Sequence, residues 1–284
     1  MREPRNRRSV LPAAWAVLAA GLLLPGSAAA MNLNGFLPAR GEGAVALSYT
    51  AESYDEFWAG ETKVQEPALG EVETTSLSLW TRWGLTDRLA LVANLPYVEV
   101  STDGFAGLED DGLADLEALL LFRALERSGG AVRHRLVAGA GIRTPASDYE
   151  GDFPVSLGDD TTDVLLRLVY QLERGGFYAS QQVGFDSRSD DAPDGFPLHT
   201  EVGYTVGAIT FTGFYSRLFA DGGTDIGEPG FTFPSNQEEY ERIGAKLFGR
   251  FTDRLGGSLA GFTTLDGRNT GETTGVSAGL VVDF

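Results

Sequence analysis

Gly275-Val276-Ser277-Ala278-Gly279-Leu280-Val281-Val282-Asp283-Phe284 decides the fold. Val276, Ala278, Leu280, Val282 and Phe284 fall on one face. Gly275, Ser277, Gly279 and Asp283 fall on the other, with Val281 among them. Successive strand side chains point to opposite faces, so this is a strand with one apolar face and one small or polar face. The same period runs upstream. Val45, Leu47, Tyr49 and Ala51 share a face, as do Thr75, Leu77, Leu79, Thr81 and Trp83, and then Leu89, Leu91, Ala93, Leu95 and Tyr97. Further sets are Ala114 to Phe122, Leu136 to Ile142, Val164 to Tyr170, and Ile243 to Phe251. Shorter strands are expected near Phe177 to Asp186 and Leu198 to Val206. Ile209 to Phe219 is ambiguous because Arg217 falls on its apolar face, and the Gly-rich Leu255 to Leu265 reads either way.

Alternation alone also suits a soluble sandwich, whose antiparallel sheets are half buried. Two further features separate the cases. The gaps near Leu85 to Asp87, Ser128 to Gly130, Glu173 to Gly176, Val206 to Ala208 and Thr252 to Arg254 are tight. They alternate with longer gaps from Phe57 to Glu71, Ser101 to Asp111, Pro145 to Asp160, Arg188 to Pro197, Asp221 to Glu239 and Asp266 to Gly271. Short periplasmic turns and longer extracellular loops mark outer-membrane barrels. In addition, Trp83, Phe122, Tyr170, Phe177, Tyr204, Phe251 and Phe284 occupy apolar-face positions beside the tight turns, at one height, as an interfacial girdle does. The expected fold is all-β: a transmembrane antiparallel up-and-down β-barrel of about twelve strands over residues 43–284.

The first thirty residues read as a secretory leader. Arg2, Arg5, Arg7 and Arg8 precede an apolar run from Ala13 to Leu24, which Pro25, Gly26 and Ser27 break before the small-residue site Ala28-Ala29-Ala30. The run is well short of the roughly 20 residues of a spanning helix. Cleavage after Ala30 leaves Met31 first, and residues 31–42 are expected as a periplasmic N-terminal segment, with a plug formed by Met31 to Gly43 entering the lumen left as the alternative. The chain carries a net charge of −18, and losing the leader's four Arg and one Glu takes it to −21. Such an acidic chain does not bind nucleic acid through phosphates, which needs Lys and Arg. It has no Cys, which excludes disulfides, thiolate metal sites and lipid acylation of a cysteine.

Gly84-Leu85-Thr86-Asp87-Arg88-Leu89 leading into Asn94-Leu95-Pro96-Tyr97 resembles the outer-membrane β-barrel family labelled as phenol-degradation (meta-pathway) transporters. Asp111-Gly112-Leu113-Ala114-Asp115-Leu116 through Phe122-Arg123 is similar to that family's Gly-rich motif, and Leu265-Asp266-Gly267-Arg268-Asn269-Thr270-Gly271 before the last strand also fits. The resemblance spans roughly Thr75 to Phe284. It implies passage or binding of small organic compounds. Phe284 resembles the terminal aromatic signal read by the barrel-assembly machinery.

The charges on the inner register are the candidate functional residues. Arg82, Asp115, Glu117, Arg123, Arg133, Arg135, Arg143, Asp163, Arg167, Glu201, Arg242, Lys246 and Arg250 are expected to line the lumen. They form either a polar pathway that selects solutes or a salt-bridged filling that closes a narrow barrel. Only His134 and His199 are available as imidazole bases. His199 lies two residues from Glu201, an arrangement that can orient a general base, but no barrel-phospholipase motif accompanies it, and no catalytic residue is assigned. Glu109-Asp110-Asp111, Asp159-Asp160 and Asp190-Asp191 form an acidic rim, solvated or holding divalent cations near lipopolysaccharide. No cofactor or metal is implied. Expected partners are membrane lipid, lipopolysaccharide, the assembly machinery and a small solute. A passive uptake channel, with localisation in the bacterial outer membrane, and a structural or adhesive barrel with a closed lumen both fit.

Overall fold

The computed structural model describes residues 31–151, 155–190 and 192–284, so the leader read at residues 1–30 lies outside it, as does Asp191 of the acidic rim. The strands are β1 (Gly43–Tyr54), β2 (Phe57–Ala59), β3 (Thr62–Val64), β4 (Val72–Gly84), β5 (Leu89–Thr102), β6 (Glu109–Leu113), β7 (Asp115–Gly129), β8 (Val132–Pro145), β9 (Asp163–Arg174), β10 (Phe177–Ser187), β11 (Asp194–Val206), β12 (Ile209–Asp221), β13 (Glu239–Arg250), β14 (Leu255–Arg268) and β15 (Thr274–Asp283). All but the β2–β3 hairpin join one antiparallel sheet. It closes because β1 pairs with both β15 and β4, and β4 pairs with β5. β6 and β7 both pair with β5 and meet at Ala114, so together they form one wall of a twelve-walled tube.

The turns follow from local chemistry. Three connections are two residues long and begin with Gly130, Gly175 and Gly207, whose φ values are 60–61°. A two-residue hairpin turn of the primed type needs that left-handed backbone, which Gly adopts without a Cβ clash.

The pleat sets the two faces. On β9, Val164, Leu166, Leu168 and Tyr170 are 44–55% exposed, whereas Asp163, Leu165, Arg167, Val169 and Gln171 are 0–4% exposed. The outer set is a lipid-facing belt, for a soluble protein would not spread so many exposed Leu, Val, Ile and Phe around every strand. All seven aromatics of the expected girdle are exposed on this outer face. Both ambiguous strands resolve. Arg217 does lie on the outer face of β12, near the loop end, where it pairs with Glu241 and covers the Phe219 ring at 4.1 Å. On β14, Leu255, Leu259 and Leu265 face out, while Phe262 and Thr264 are buried inside.

Three features depart from the expectations. The gap from Phe57 to Glu71 holds the β2–β3 hairpin, held to the rim by Lys63 Nζ–Glu272 Oε2 at 2.8 Å and by Trp58 N donating to Thr270 O at 2.9 Å. Ala114 is buried in a cluster with Val72, Val98, Val100, Tyr149, Val155 and Leu157 rather than facing lipid. The loop between β8 and β9 thus folds inward across the extracellular end. The third departure concerns residues 31–42. Met31, Leu33, Asn34 and Leu37 are each no more than 7% exposed, and the first two and Leu37 pack with Ala90, Val92, Leu119, Leu121, Val137, Leu165 and Val169 on the inner wall. The segment expected in the periplasm threads the lumen. Only 39–42 remain exposed, at the periplasmic mouth.

Candidate functional site

The neck of the barrel is built where β4, β7, β8, β9, β10 and β11 turn polar side chains toward the N-terminal segment. A buried backbone amide or carbonyl must find a partner, and these strands supply them in sequence. Met31 N donates to Glu117 Oε1 and Oε2 at 3.2 and 3.1 Å. Leu33 N donates to Gln182 Oε1 at 2.6 Å, and Gly35 N to Gln171 Oε1 at 2.7 Å. Asn34 Nδ2 donates to Glu201 Oε1 at 2.9 Å. Arg82 Nη1 and Arg123 Nη2 donate to the carbonyls of Phe36 and Leu37 at 3.0 and 3.1 Å. The Phe36 ring lies edge-on to Tyr178 at 5.2 Å and under the Arg135 guanidinium at 5.6 Å. Gly35 is needed for the close approach, because a Cβ there would stand 2.7 Å from Gln171 Cβ.

The remaining inner charges pair with one another. Arg143 Nε donates to Asp163 Oδ2 at 2.9 Å, and Asp163 also accepts from Thr161 Oγ1 at 2.8 Å. Arg167 forms a two-pronged pair with Asp186, with Nη2–Oδ2 at 3.2 Å. Arg135 binds Glu173. Lys246 Nζ lies 3.4 Å from Glu201, and Arg250 Nη1 2.7 Å from Asp283. Arg242 sits over the rings of Tyr240 and Phe262 at 5.1 and 4.8 Å. Asp115 accepts from the Tyr149 hydroxyl, whose pKa is pushed up by burial and by that carboxylate. Arg133 is the outlier: it faces inward at the periplasmic mouth but stays exposed, 3.7 and 3.9 Å from Glu126 and Glu173. The inner register is therefore as the alternation requires, but these residues do not line an open aqueous path. Water in an open lumen would reach Asp163, Gln171, Gln182 and Glu201, which are at most 2% exposed.

Above the neck lies a cavity of about 410 Å³, open toward the long loops. Tyr54, Phe57, Leu69, Val72, Val100, Val155, Ile226, Phe231, Phe233 and Tyr240 line it, with Glu52, Asp159, Glu238 and Arg242 as its charges. Its size falls in the roughly 300–1,000 Å³ range of small-molecule pockets, and apolar walls with a few polar groups are typical of them. Glu238, in the loop before β13, has its pKa pushed up to about 7, chiefly by burial and then by the charge of Asp159.

An apolar stripe continues the vestibule wall downward. The inner face of β5 presents Val100, Val98, Pro96, Asn94, Val92 and Ala90, all buried, with Asn94 its one amide. β7 adds Leu119 and Leu121. Over the lower half, the N-terminal segment covers this stripe.

Ser216, His199 and Glu201 are the nearest approach to hydrolytic machinery. His199 Nδ1 is 2.7 Å from Ser216 Oγ, and Nε2 is 3.5 Å from Glu201 Oε2. All three are more than nine-tenths buried, and Asn34 and Lys246 already occupy Glu201. His134 is on the outer face, 2.7 Å from the Tyr170 hydroxyl. Among the described residues no group of three or more His, Cys, Asp or Glu could hold a metal ion. In the acidic rim, Glu109 to Asp111 belong to β6, and Asp159 pairs with Arg188. Phe284 closes the tube: its N–H donates to Gly43 O at 2.9 Å, and its main-chain oxygen accepts from Gly43 N at 3.0 Å, with its ring exposed outside.

The sequence left entry of the N-terminal segment into the lumen open and did not single out its partners Gln171 and Gln182. One signal was present. Met31, Leu33 and Leu37 alternate with Asn32 and Asn34, a period of two too short to count as a wall strand.

A sequence model of the family described as "Putative MetA-pathway of phenol degradation" matches residues 48–280. Among solved structures, an outer membrane channel from Pseudomonas putida F1 superposes with a TM-score of 0.70 at 19% identity, over 87% of this chain and 97% of that one. The translocator domain of the autotransporter NalP from Neisseria meningitidis gives 0.50 at 8% identity, over 87% and 90%. No curated protein matches the chain in sequence. These likenesses establish the outer-membrane β-barrel fold.

Proposed function

The chain belongs to the family described by the MetA pathway of phenol degradation, and from that membership and the geometry of the lumen we propose that it is an outer-membrane channel for small, largely apolar organic solutes. One observation carries the reading: a buried apolar stripe runs along the inner face of β5 from the vestibule to the periplasmic half, broken only by Asn94. A lumen meant for ions or sugars has no use for such a wall, because apolar surface facing water is unfavourable by about 25 cal/mol per Å². The paired charges opposite it brace the barrel. We read the chain as non-enzymatic, since Ser216, His199 and Glu201 are buried and Glu201 is held by Asn34 and Lys246. The exposed belt meets lipid, and Phe284 is the assembly signal. The filled neck also supports a second reading, a closed structural barrel that acts through its loops, and one experiment decides between them.

Single-channel current is measured for the chain and for a form lacking residues 31–37. The shortened form is expected to conduct, and phenol added on the loop side is expected to block it in proportion to concentration, while glycerol does not. Val100→Asp, in the cavity wall, weakens the block at least about tenfold, because a buried Val contributes roughly 1.5–3 kcal/mol and about 1.4 kcal/mol is tenfold. A shortened form that still carries no current favours the closed barrel. One that conducts but is blocked equally by phenol and glycerol overturns the apolar solute.

A further inference from the structure

The contact between Met31 and Glu117 is chemically unbalanced as the chain is translated. A peptide N–H has one hydrogen, yet Met31 N lies at nearly equal distance from both Glu117 oxygens, 3.2 and 3.1 Å. Glu117 is 5% exposed. Its surroundings are one cation short. Its cross-strand neighbour Arg143 is bonded to Asp163, and Arg167 is bonded to Asp186. Arg188 reaches Asp163 at 3.7 Å but is bonded to Asp159. Glu117 pairs in register with neutral Asn94 on its other side. A buried carboxylate whose neighbouring cations are bonded to other carboxylates is unfavourable, and a cation in hydrogen-bond reach offsets that cost.

We propose that cleavage of the leader after Ala30 frees an α-ammonium at Met31 that pairs with the Glu117 carboxylate and latches the N-terminal segment inside the lumen. Hydrolysis of the Ala30–Met31 amide by a leader peptidase adds the hydroxyl of water to the Ala30 carbonyl carbon. The C–N bond breaks, and the Met31 nitrogen leaves as an amine that holds an extra proton at neutral pH. Three N–H donors then meet two carboxylate oxygens, and Gln182 Nε2 lies 3.4 Å from the Met31 carbonyl. The ammonium is the bonded cation that Glu117 lacks.

The path of the chain brings the freed amine to the carboxylate. The segment enters at the periplasmic mouth near Arg40, whose amide lies 3.3 Å from Asp87 Oδ1. It then climbs past Arg123 and Arg82 to end, buried, at Glu117. An uncleaved chain has only a neutral amide at this position, so the charged latch forms after processing and not before. The latch rests on the leader reading and not on which solute passes.

The test uses the full barrel refolded with Met31 first, the same chain begun at Ala28, and Glu117→Gln in the Met31 form. Two quantities are read: the fraction of time conducting in a planar bilayer, and the rate at which an amine-acylating reagent modifies the α-amine at neutral pH, scored by mass. The Met31 form is expected to be mostly closed, with its α-amine protected. Glu117→Gln and the Ala28 form are each expected to raise both readings at least about tenfold, as the loss of a buried pair implies. The Ala28 form keeps every barrel side chain, so it decides the matter if Glu117→Gln fails to fold. Readings in the Ala28 form equal to those of the Met31 form overturn the latch. So does a protein recovered from outer membranes whose N-terminal mass does not begin at Met31.

Discussion

Arg167 and Asp186 offer the sharpest test of how the lumen is held. They face each other across the β9–β10 pair, with side chains 0% and 3% exposed, and the guanidinium meets the carboxylate with two N–H groups. Gly184 stands opposite Arg167 in register, and a Cβ there would fall 2.8 Å from Arg167 Nη1. The sequence leaves room for the arginine where it needs it. Removing one partner strands a charge where water does not reach, which destabilises by about 3–5 kcal/mol. Removing both removes the charge and the need for its partner, so the double substitution is expected near neutral. The predicted cycle is a loss of about 3–5 kcal/mol for Arg167→Leu, a similar loss for Asp186→Leu, and a double variant within about 1–2 kcal/mol of the parent. Urea titration of folding into lipid vesicles, read by the heat-modifiable gel shift, measures all four corners. Single losses below about 1 kcal/mol that add in the double variant would mean that water reaches this pair, and the filled-lumen argument would fail with it.

The outer face is tested by Leu166→Arg, which places a charge on mid-belt lipid and is expected to lower folding stability by about 2–4 kcal/mol in the same titration, with Leu166→Val nearly silent. The vestibule is tested by pH. The carboxyl of Glu238, raised to about 7, binds its proton more tightly in the folded than in the unfolded chain. Its stabilisation is present below the ordinary carboxyl range and lost as pH rises through about 7, and the vestibule becomes more polar over the same window. Block by phenol of the form lacking residues 31–37 is therefore expected to weaken as pH rises from 6 to 8, about severalfold, and Glu238→Gln should remove that dependence.

The walls were legible because a period of two is a local property. Leu165 and Leu166 are adjacent in sequence and opposite in environment, and alternation alone assigns them correctly. The girdle and the tight turns followed from the same register. The contents of the tube were not legible in that way. Sequence alternation places Leu165 on the inner face, where it would seem tolerant of charge, yet it is wholly buried against the cluster that includes Met31 and Leu33, so an Arg there would be unfavourable too. Which carboxylate meets which arginine depends on the stagger of neighbouring strands, as when Arg143 falls opposite Asp163, while Lys246 reaches across to Glu201. The inward loop of Tyr149, Val155 and Leu157 carries no period at all, because its burial is decided by the hole it covers.

The two sides of the lumen explain why a channel of this kind would carry its own segment as a stopper. One side, centred on β9 to β13, is polar: its charges pair largely with one another, and Gln171, Gln182 and Glu201 also bond the segment. The other side, along β5 and β7, is apolar, and an empty tube would wet it. Met31, Leu33 and Leu37 keep that wall dry, while Gln171, Gln182, Arg82 and Arg123 hold the backbone through bonds that water can replace. Expelling the segment into water thus costs the Met31–Glu117 pair and the exposure of apolar surface, at about 25 cal/mol per Å². An apolar solute that spreads from the vestibule onto the same stripe covers part of that surface and lowers the cost of opening. A polar solute of equal size covers none of it usefully. Selectivity for apolar solutes then resides in the competition between solute and segment for one wall, and it needs no filter of charges.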